Sequence, residues 1–207
     1  MKKTLLFLFF GIVSAMSIAQ NDKAYVDDLV SEFTKSLENR DINNYFYMNK
    51  YCVGSTKMFQ YEHGRMCVSK GTYYEVFIFW MEGEQAMIKK IDNCSMYFSL
   101  PLSSASVIDD VNSNTKNLEK GLVKTYAVKN PENIPVQSSK VHPCHRLFKF
   151  NMDDKTFGQM YNLYDLTNES KYENLNFDYN NNLEIVALEK KIEALISENE
   201  SNFKRQF

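Results

Sequence analysis

The chain has 207 residues, of which 44% are hydrophobic and 14% aromatic, with 24 basic side chains against 26 acidic ones. This composition excludes a disordered or linker-like chain, because apolar content suffices for a core while glycine (7) and proline (4) are scarce. A net charge of −2 provides no general field for drawing in nucleic acid, and no nucleic-acid partner is expected.

Met1-Lys2-Lys3 is a short basic start, Leu5 to Val13 an apolar run broken only by Gly11, and Ser17-Ile18-Ala19 puts small residues where a signal peptidase reads. Residues 1–19 therefore read as a secretory signal peptide of bacterial type, cut between Ala19 and Gln20. The apolar run is too short to span a bilayer comfortably, and polar residues follow at once. No integral membrane segment is expected once it is removed. Residues 20–207 are expected to form a single exported α+β domain, periplasmic or extracellular. Without the two leader lysines, 22 basic groups face 26 acidic ones, and the mature charge is −4.

Residues 22–40 have Val26, Leu29, Val30, Phe33 and Leu37 at helical spacing, with Asn21 or Asp22 as a cap. Tyr45 to Val53 and Met58 to Tyr61 read as strands, and His63-Gly64-Arg65 as a turn. Thr72 to Met81 is the strongest strand signal. Tyr74, Val76, Ile78 and Trp80 share one face, and Tyr73, Glu75, Phe77, Phe79 and Met81 the other. Both faces are largely apolar, which predicts a central strand covered on both sides. Glu82-Gly83-Glu84-Gln85 turns it into Ala86 to Ile91, a strand expected to hold its lysines outward. Lys89-Lys90 and Lys190-Lys191 are both read as parts of solvated faces.

Ser103 to Lys120 reads as a second helix with serine caps at its start and Gly121 as its stop. Val123 to Val128 reads as a strand and Asn130 to Pro143 as a loop. Arg146 to Met152 and Thr156 to Leu166 form a second hairpin through Asp153-Asp154-Lys155. Thr167 to Asn182 is read as loop with at most a short strand. Leu183 to Phe203 is an amphipathic C-terminal helix carrying Ile185, Leu188, Ile192 and Leu195. Hairpins rather than crossovers argue for an antiparallel sheet built from two hairpins, packed by an N-terminal, a middle and a C-terminal helix.

Cys52, Cys67, Cys94 and Cys144 are an even set, which in an exported chain reads as two disulfides. Three connectivities are open. Cys52–Cys67 with Cys94–Cys144 is the preferred one, the first closing a local loop and the second tying the central hairpin to the later one.

His142-Pro143-Cys144-His145 is the most chemically suggestive cluster. Zinc takes thiolate and imidazole, so Cys67, His63, Cys144 and His145 form a conceivable set. The spacing matches no standard structural zinc site, however, and disulfide pairing accounts for the cysteines. A Cys144 nucleophile would need His145 as its base, and neighbours on a strand point to opposite faces. Asp27-Asp28, Asp109-Asp110 and Asp153-Asp154 read as helix charges and a turn, not as facing catalytic carboxyls. Glu75, inside an apolar strand, is either a pocket acid or half of a satisfied pair, and the pair is preferred. Tyr45, Tyr47, Tyr73, Tyr74, Tyr161 and Tyr164 are candidates for lining a ligand groove, although strand packing alone accounts for them. No catalytic residue, cofactor or metal ligand is assigned. The expected function is a non-catalytic binding or structural module with an unknown ligand or protein partner. The alternatives are a secreted enzyme in which Glu75 or another carboxylate meets a histidine in a cleft, and an interaction protein that docks through its C-terminal helix.

Overall fold

The computed structural model describes residues 22–61, 64, 66–152, 155–169 and 173–206. The proposed leader, His63, Arg65 and the Asp153-Asp154 turn lie outside the described residues. Helix α1 (Lys23–Glu38) starts at Asp22, whose carboxylate accepts the Tyr25 amide at 3.0 Å. That pairs one of the donors a helix start leaves open. Strands β1 (Tyr45–Cys52), β2 (Met58–Gln60), β3 (Met66–Val68), β4 (Tyr74–Glu82), β5 (Gln85–Asp92), β6 (Ser95–Met96) and β7 (Leu100–Pro101) follow. Helix α2 (Ser106–Lys120) then leads to β8 (Ala127–Lys129) and β9 (Pro135–Gln137), and on to β10 (Cys144–Met152) and β11 (Lys155–Asn162). A 3-10 turn (Leu163–Leu166), the short α3 (Phe177–Asn181) and α4 (Glu184–Asn199) complete the order, with a last 3-10 turn at Glu200–Asn202.

The main sheet runs β11-β10-β1-β4-β5-β6, with β7 also on β5, and its pairings are antiparallel. Hairpins β4–β5 and β10–β11 are its two building units, and β1 lies between them, so the fold is α+β. Gly83, at φ 61°, takes the first central position of the two-residue turn between Glu82 and Gln85. A residue with a Cβ is strained there.

The period of two along each strand divides the sheet into two faces. On one face Phe46, Met48, Phe77, Phe79, Ile88, Phe148 and Phe150 are buried beneath α2 and α4. On the other, Val76, Ile78, Trp80 and Ile91 are buried beneath α1 through Val26, Val30 and Leu37. Strand β4 is therefore covered on both sides, as its two apolar faces predict. Register organises the first face into rows. Phe157, Phe150, Phe46 and Phe79 lie side by side across β11, β10, β1 and β4, with ring centroids 4.6, 5.7 and 4.9 Å apart in turn. Fully burying one such ring is worth about 2–3 kcal/mol.

Four expectations are corrected. The disulfides are Cys52–Cys144 and Cys67–Cys94, not the preferred pairing. Antiparallel register sets Cys52 directly opposite Cys144 on β10, while Cys67 on β3 meets Cys94 in the turn after β5. Second, Lys89 and Lys90 are buried, 3% and 4% exposed, where an outward, solvated position was expected. Strand β5 is flanked by β4, β6 and β7, and the C-terminal segment closes over it. Lys89 Nζ donates to the Tyr97 carbonyl at 2.7 Å, and Lys90 Nζ lies 3.0 Å from Glu75. Third, the expected strand Val123 to Val128 shrinks to β8, which pairs with β9 inside the segment read as loop, and α3 lies inside the other. Fourth, α2 begins at Ser106 after Ala105, which offers no cap of its own, and the serine contribution is confined to the Ser104 hydroxyl, which accepts the Ser106 amide at 3.1 Å. Gly121 does end α2, but at φ −80°. A Cβ there would lie 2.9 Å from the Asn117 carbonyl oxygen, so close approach rather than left-handed backbone calls for glycine.

Candidate functional site

Two regions hold buried polar chemistry. The first is a row on the α2/α4 face, four residues along each strand from the phenylalanine row. It consists of Tyr161, Arg146, Lys50, Glu75 and Asp92, neighbours across β11, β10, β1, β4 and β5. Helix α4 and the tail beyond it supply the complementary groups. Arg146 Nε lies 2.7 Å from Glu189, and its Nη2 is 3.1 Å from Glu193, which Lys50 also meets at 3.0 Å. Tyr161 donates to Glu189 at 2.7 Å. Glu75 is ringed by Lys90 at 3.0 Å and by Lys50 and Lys57 at 3.8 Å. Burial pushes its carboxyl up, and the three ammonium groups override that and hold it below the usual range. Glu75 is thus the satisfied structural group that was preferred.

Asp92 ends the row. It is fully buried and accepts from both arms of the Arg205 guanidinium at 2.7 and 2.6 Å. The Tyr73 and Tyr97 hydroxyls donate to it at 2.8 and 2.9 Å, and the Cys94 amide at 2.8 Å. Burial pushes this carboxyl up too, and Arg205 overrides it, leaving it below the usual range. Arg205 lies over the Phe59 and Tyr97 rings, 4.3 and 4.5 Å from their centroids. Every group of this row is paired, and the row welds the C-terminal tail to the sheet.

The second region is on the α1 face. Helix α1 covers β4 and β5 and leaves the β1, β10 and β11 part of that face open. Between them runs a groove of about 550 Å³. One wall is α1, through Lys23, Asp27, Ser31, Thr34 and Glu38, which recur every three or four residues beside the apolar stripe. The floor and far wall are Tyr45, Tyr47 and Asn49 of β1, Val76 of β4, Leu147, Lys149 and Asn151 of β10 and Thr156 of β11. The Tyr45 hydroxyl donates to Glu38 at 2.9 Å. Burial, together with Glu38, pushes Tyr45 up to about 12, and burial with Asp27 nearby does the same to Tyr47. Both phenols therefore stay protonated, as hydrogen-bond donors, across the ordinary pH range.

Asn49 decides which region is the candidate site. It is 5% exposed, and its carboxamide oxygen finds no hydrogen-bond partner among the described residues. Two other buried atoms share that state. Arg146 Nε has its ion pair with Glu189, and Asn162 Oδ1 sits at the start of the 3-10 turn. Of the three, Asn49 is the one that lines the groove beside α1. A buried acceptor left unpaired costs roughly 1–3 kcal/mol, and the side chain that carries it is part of the groove lining.

The structure sorts the sequence candidates. Tyr45 and Tyr47 line the groove. Tyr73 and Tyr161 are the buried donors to Asp92 and Glu189, Tyr74 packs against Tyr51, and Tyr164 stacks on Tyr126 with centroids 4.4 Å apart. Cys52, Cys67, Cys94 and Cys144 are all in disulfides, which removes the thiols that the zinc set and the nucleophile need. His145 stacks on Tyr51 of the α1 face, whereas Glu75 points to the α2/α4 face, so the two do not converge. Among the described residues no three His, Cys, Asp or Glu side chains gather as a metal site, and no helix is long and apolar enough to cross a membrane. The stripe of α4 lies against the core: Ile185, Leu188 and Ile192 are each at most 4% exposed, Leu195 is half-buried, and Ile196, 3% exposed, adds to it. Sequence reasoning missed Asn49 and the polar flank of α1. The available signal was a carboxamide inside a strand of aromatic and apolar neighbours, and polar side chains at helical spacing.

Comparison with protein-family models, with curated proteins and with solved structures gives no match.

Proposed function

We propose that residues 20–207 act outside the cytoplasm as a single disulfide-braced, non-catalytic binding module that takes its ligand in the groove between α1 and the open part of the sheet. The observation that carries this reading is the buried, partnerless Asn49 oxygen in a groove of the size small ligands occupy. Two disulfides support the location, because such bonds persist in oxidising compartments, and so does the leader-like start of the chain. The test uses the exported, purified protein, isotope-labelled and titrated with neutral oligosaccharides, short peptides, nucleotides and fatty acids. One class is expected to move the Asn49 side-chain amide resonances and to raise Tm by mass action. If no class moves them, the reading fails. An intact mass lacking residues 1–19 and four thiol hydrogens is the expected sign of export, and a full-length mass would contradict it.

A further inference from the structure

We infer that the groove takes a neutral carbohydrate, recognised as a short polyhydroxylated segment lying across β1 and β10; this rests on the binding-module reading above. Three features of the groove point to that chemistry. The first is its charge. The lining carries two cations, Lys23 and Lys149, and two carboxylates, Asp27 and Glu38. Lys23 is paired with Asp27, and Glu38 accepts from Tyr45. A groove built for an anion or a cation would show an excess of one sign, and this one has none.

The second feature is where the groove lies. Its floor is the face of β1 and β10, and only its far rim, at Thr156, reaches the edge strand β11. Strand β1 is hydrogen-bonded to both β4 and β10, and β10 to both β1 and β11. The floor's main-chain donors and acceptors are therefore consumed in the ladders, and those of α1 in the helix. An extended peptide gains its affinity chiefly by adding main-chain hydrogen bonds at a free strand edge. Here its own amides and carbonyls would find few partners. The ligand has to be read by side chains.

The third feature is which side chains are open. The Tyr47 hydroxyl makes no hydrogen bond among the described residues, and the Asn49 oxygen lacks a donor. Beside them Val76 and Leu147 present apolar surface. Tyrosine offers a ring face and a hydroxyl donor together. A sugar matches this set. Its hydroxyls would meet the Asn49 carboxamide and accept from Tyr47, and its C–H faces would lie on ring and aliphatic carbon. With both phenols protonated to about pH 12, neither changes its role between acid and mildly alkaline conditions.

The experiment is calorimetric and NMR titration of the exported protein with tetrasaccharides of glucose, xylose, mannose and N-acetylglucosamine. A galacturonic acid tetramer and a pool of random short peptides serve as the other arms. At least one neutral tetrasaccharide is expected to bind and to shift the Tyr47 and Asn49 resonances. Its affinity should change by less than about twofold between roughly 0.05 and 0.5 M salt, since no ion pair forms. Asn49→Leu should weaken it roughly tenfold, the loss of one hydrogen bond to the carboxamide. Thr156→Arg, at the exposed rim, should block binding with Tm unchanged and so guards against a folding artefact. Binding only to the galacturonate tetramer, or only to peptides, with the groove resonances still responding, overturns the carbohydrate assignment and leaves the binding-module reading standing. Silence of the groove resonances toward every arm overturns the carbohydrate assignment, and silence toward nucleotides and fatty acids as well removes the binding-module reading.

Discussion

Asp92 and Asn49 are both polar side chains sealed into strands of the same sheet, one on each face. Among the described residues Asp92 accepts six hydrogen bonds, from Arg205, two tyrosines and two backbone amides, while the Asn49 oxygen accepts none. The difference follows from what covers each face. On the α2/α4 side the helices and the tail close completely, so every buried charge needs a partner built into the chain. On the α1 side one helix spans only part of the sheet, and the uncovered part is a groove. A satisfied polar row there would leave a ligand nothing to offer. Buried polarity is paired where the cover is complete and is left unpaired beside the cavity, where the proposed recognition would take place.

The largest expected effect comes from breaking the closed face. Arg205→Met leaves Asp92 buried without its cation and should cost about 3–5 kcal/mol, read by chemical denaturation. Replacing Asp92 and Arg205 together by apolar residues should recover much of that loss, because the penalty lies in the unpaired charge. If the single variant costs less than about 1 kcal/mol, the tail is not welded by this pair.

Next come the disulfides. Cys52–Cys144 spans 92 residues and Cys67–Cys94 spans 27, so chain entropy predicts about 4.6 against 3.5 kcal/mol. The first bond joins strands already paired, whereas the second is the tether of the β2–β3 hairpin to the sheet. Replacing Cys67 and Cys94 by serine should therefore raise amide exchange in β2 and β3 well beyond that of β10, and uniform exchange would show that the hairpin holds without its tether.

Lys89 gives a pH signature on the α1 face. Burial pushes its ammonium down to about 8 in the folded protein, against roughly 10.4 when unfolded. Between those values the unfolded chain binds more protons, so stability should rise as pH goes from about 8 toward 10. Lys89→Met should remove that slope and stabilise the protein near pH 7, on the order of 1–2 kcal/mol. At the acid end the sign reverses. Asp92 and Glu75 titrate below their unfolded values, so their contribution is complete above about pH 5 and is lost as pH falls through the folded values.

The smallest change in stability should come from the open face. Asn49→Leu removes a buried, unpaired acceptor and should leave stability unchanged or raise it by about 1 kcal/mol, while ligand binding falls. A destabilisation above about 2 kcal/mol would mean that Asn49 has a structural partner, and the contrast between the faces would collapse.

What the amino-acid sequence determined by itself is whatever depends on near neighbours. The stripe and Asp22 cap of α1, the two apolar faces of β4, the glycine turn at Gly83 and the even cysteine count were each legible, because a helix or strand period is written in adjacent residues. What the tertiary structure alone decided is which distant segments meet. Loop-closure entropy grows only logarithmically, so the 92-residue separation of Cys52 and Cys144 costs little more than a local loop, and length does not choose the disulfide partners. Register chose them, by laying β1 between two hairpins. The same placement buried Lys89 and Lys90 beneath groups from the C-terminal tail, which no local pattern around β5 announces. It also set where α1 ends its cover, and so turned Asn49 from one more strand residue into a buried, unpaired carboxamide in the lining of the groove.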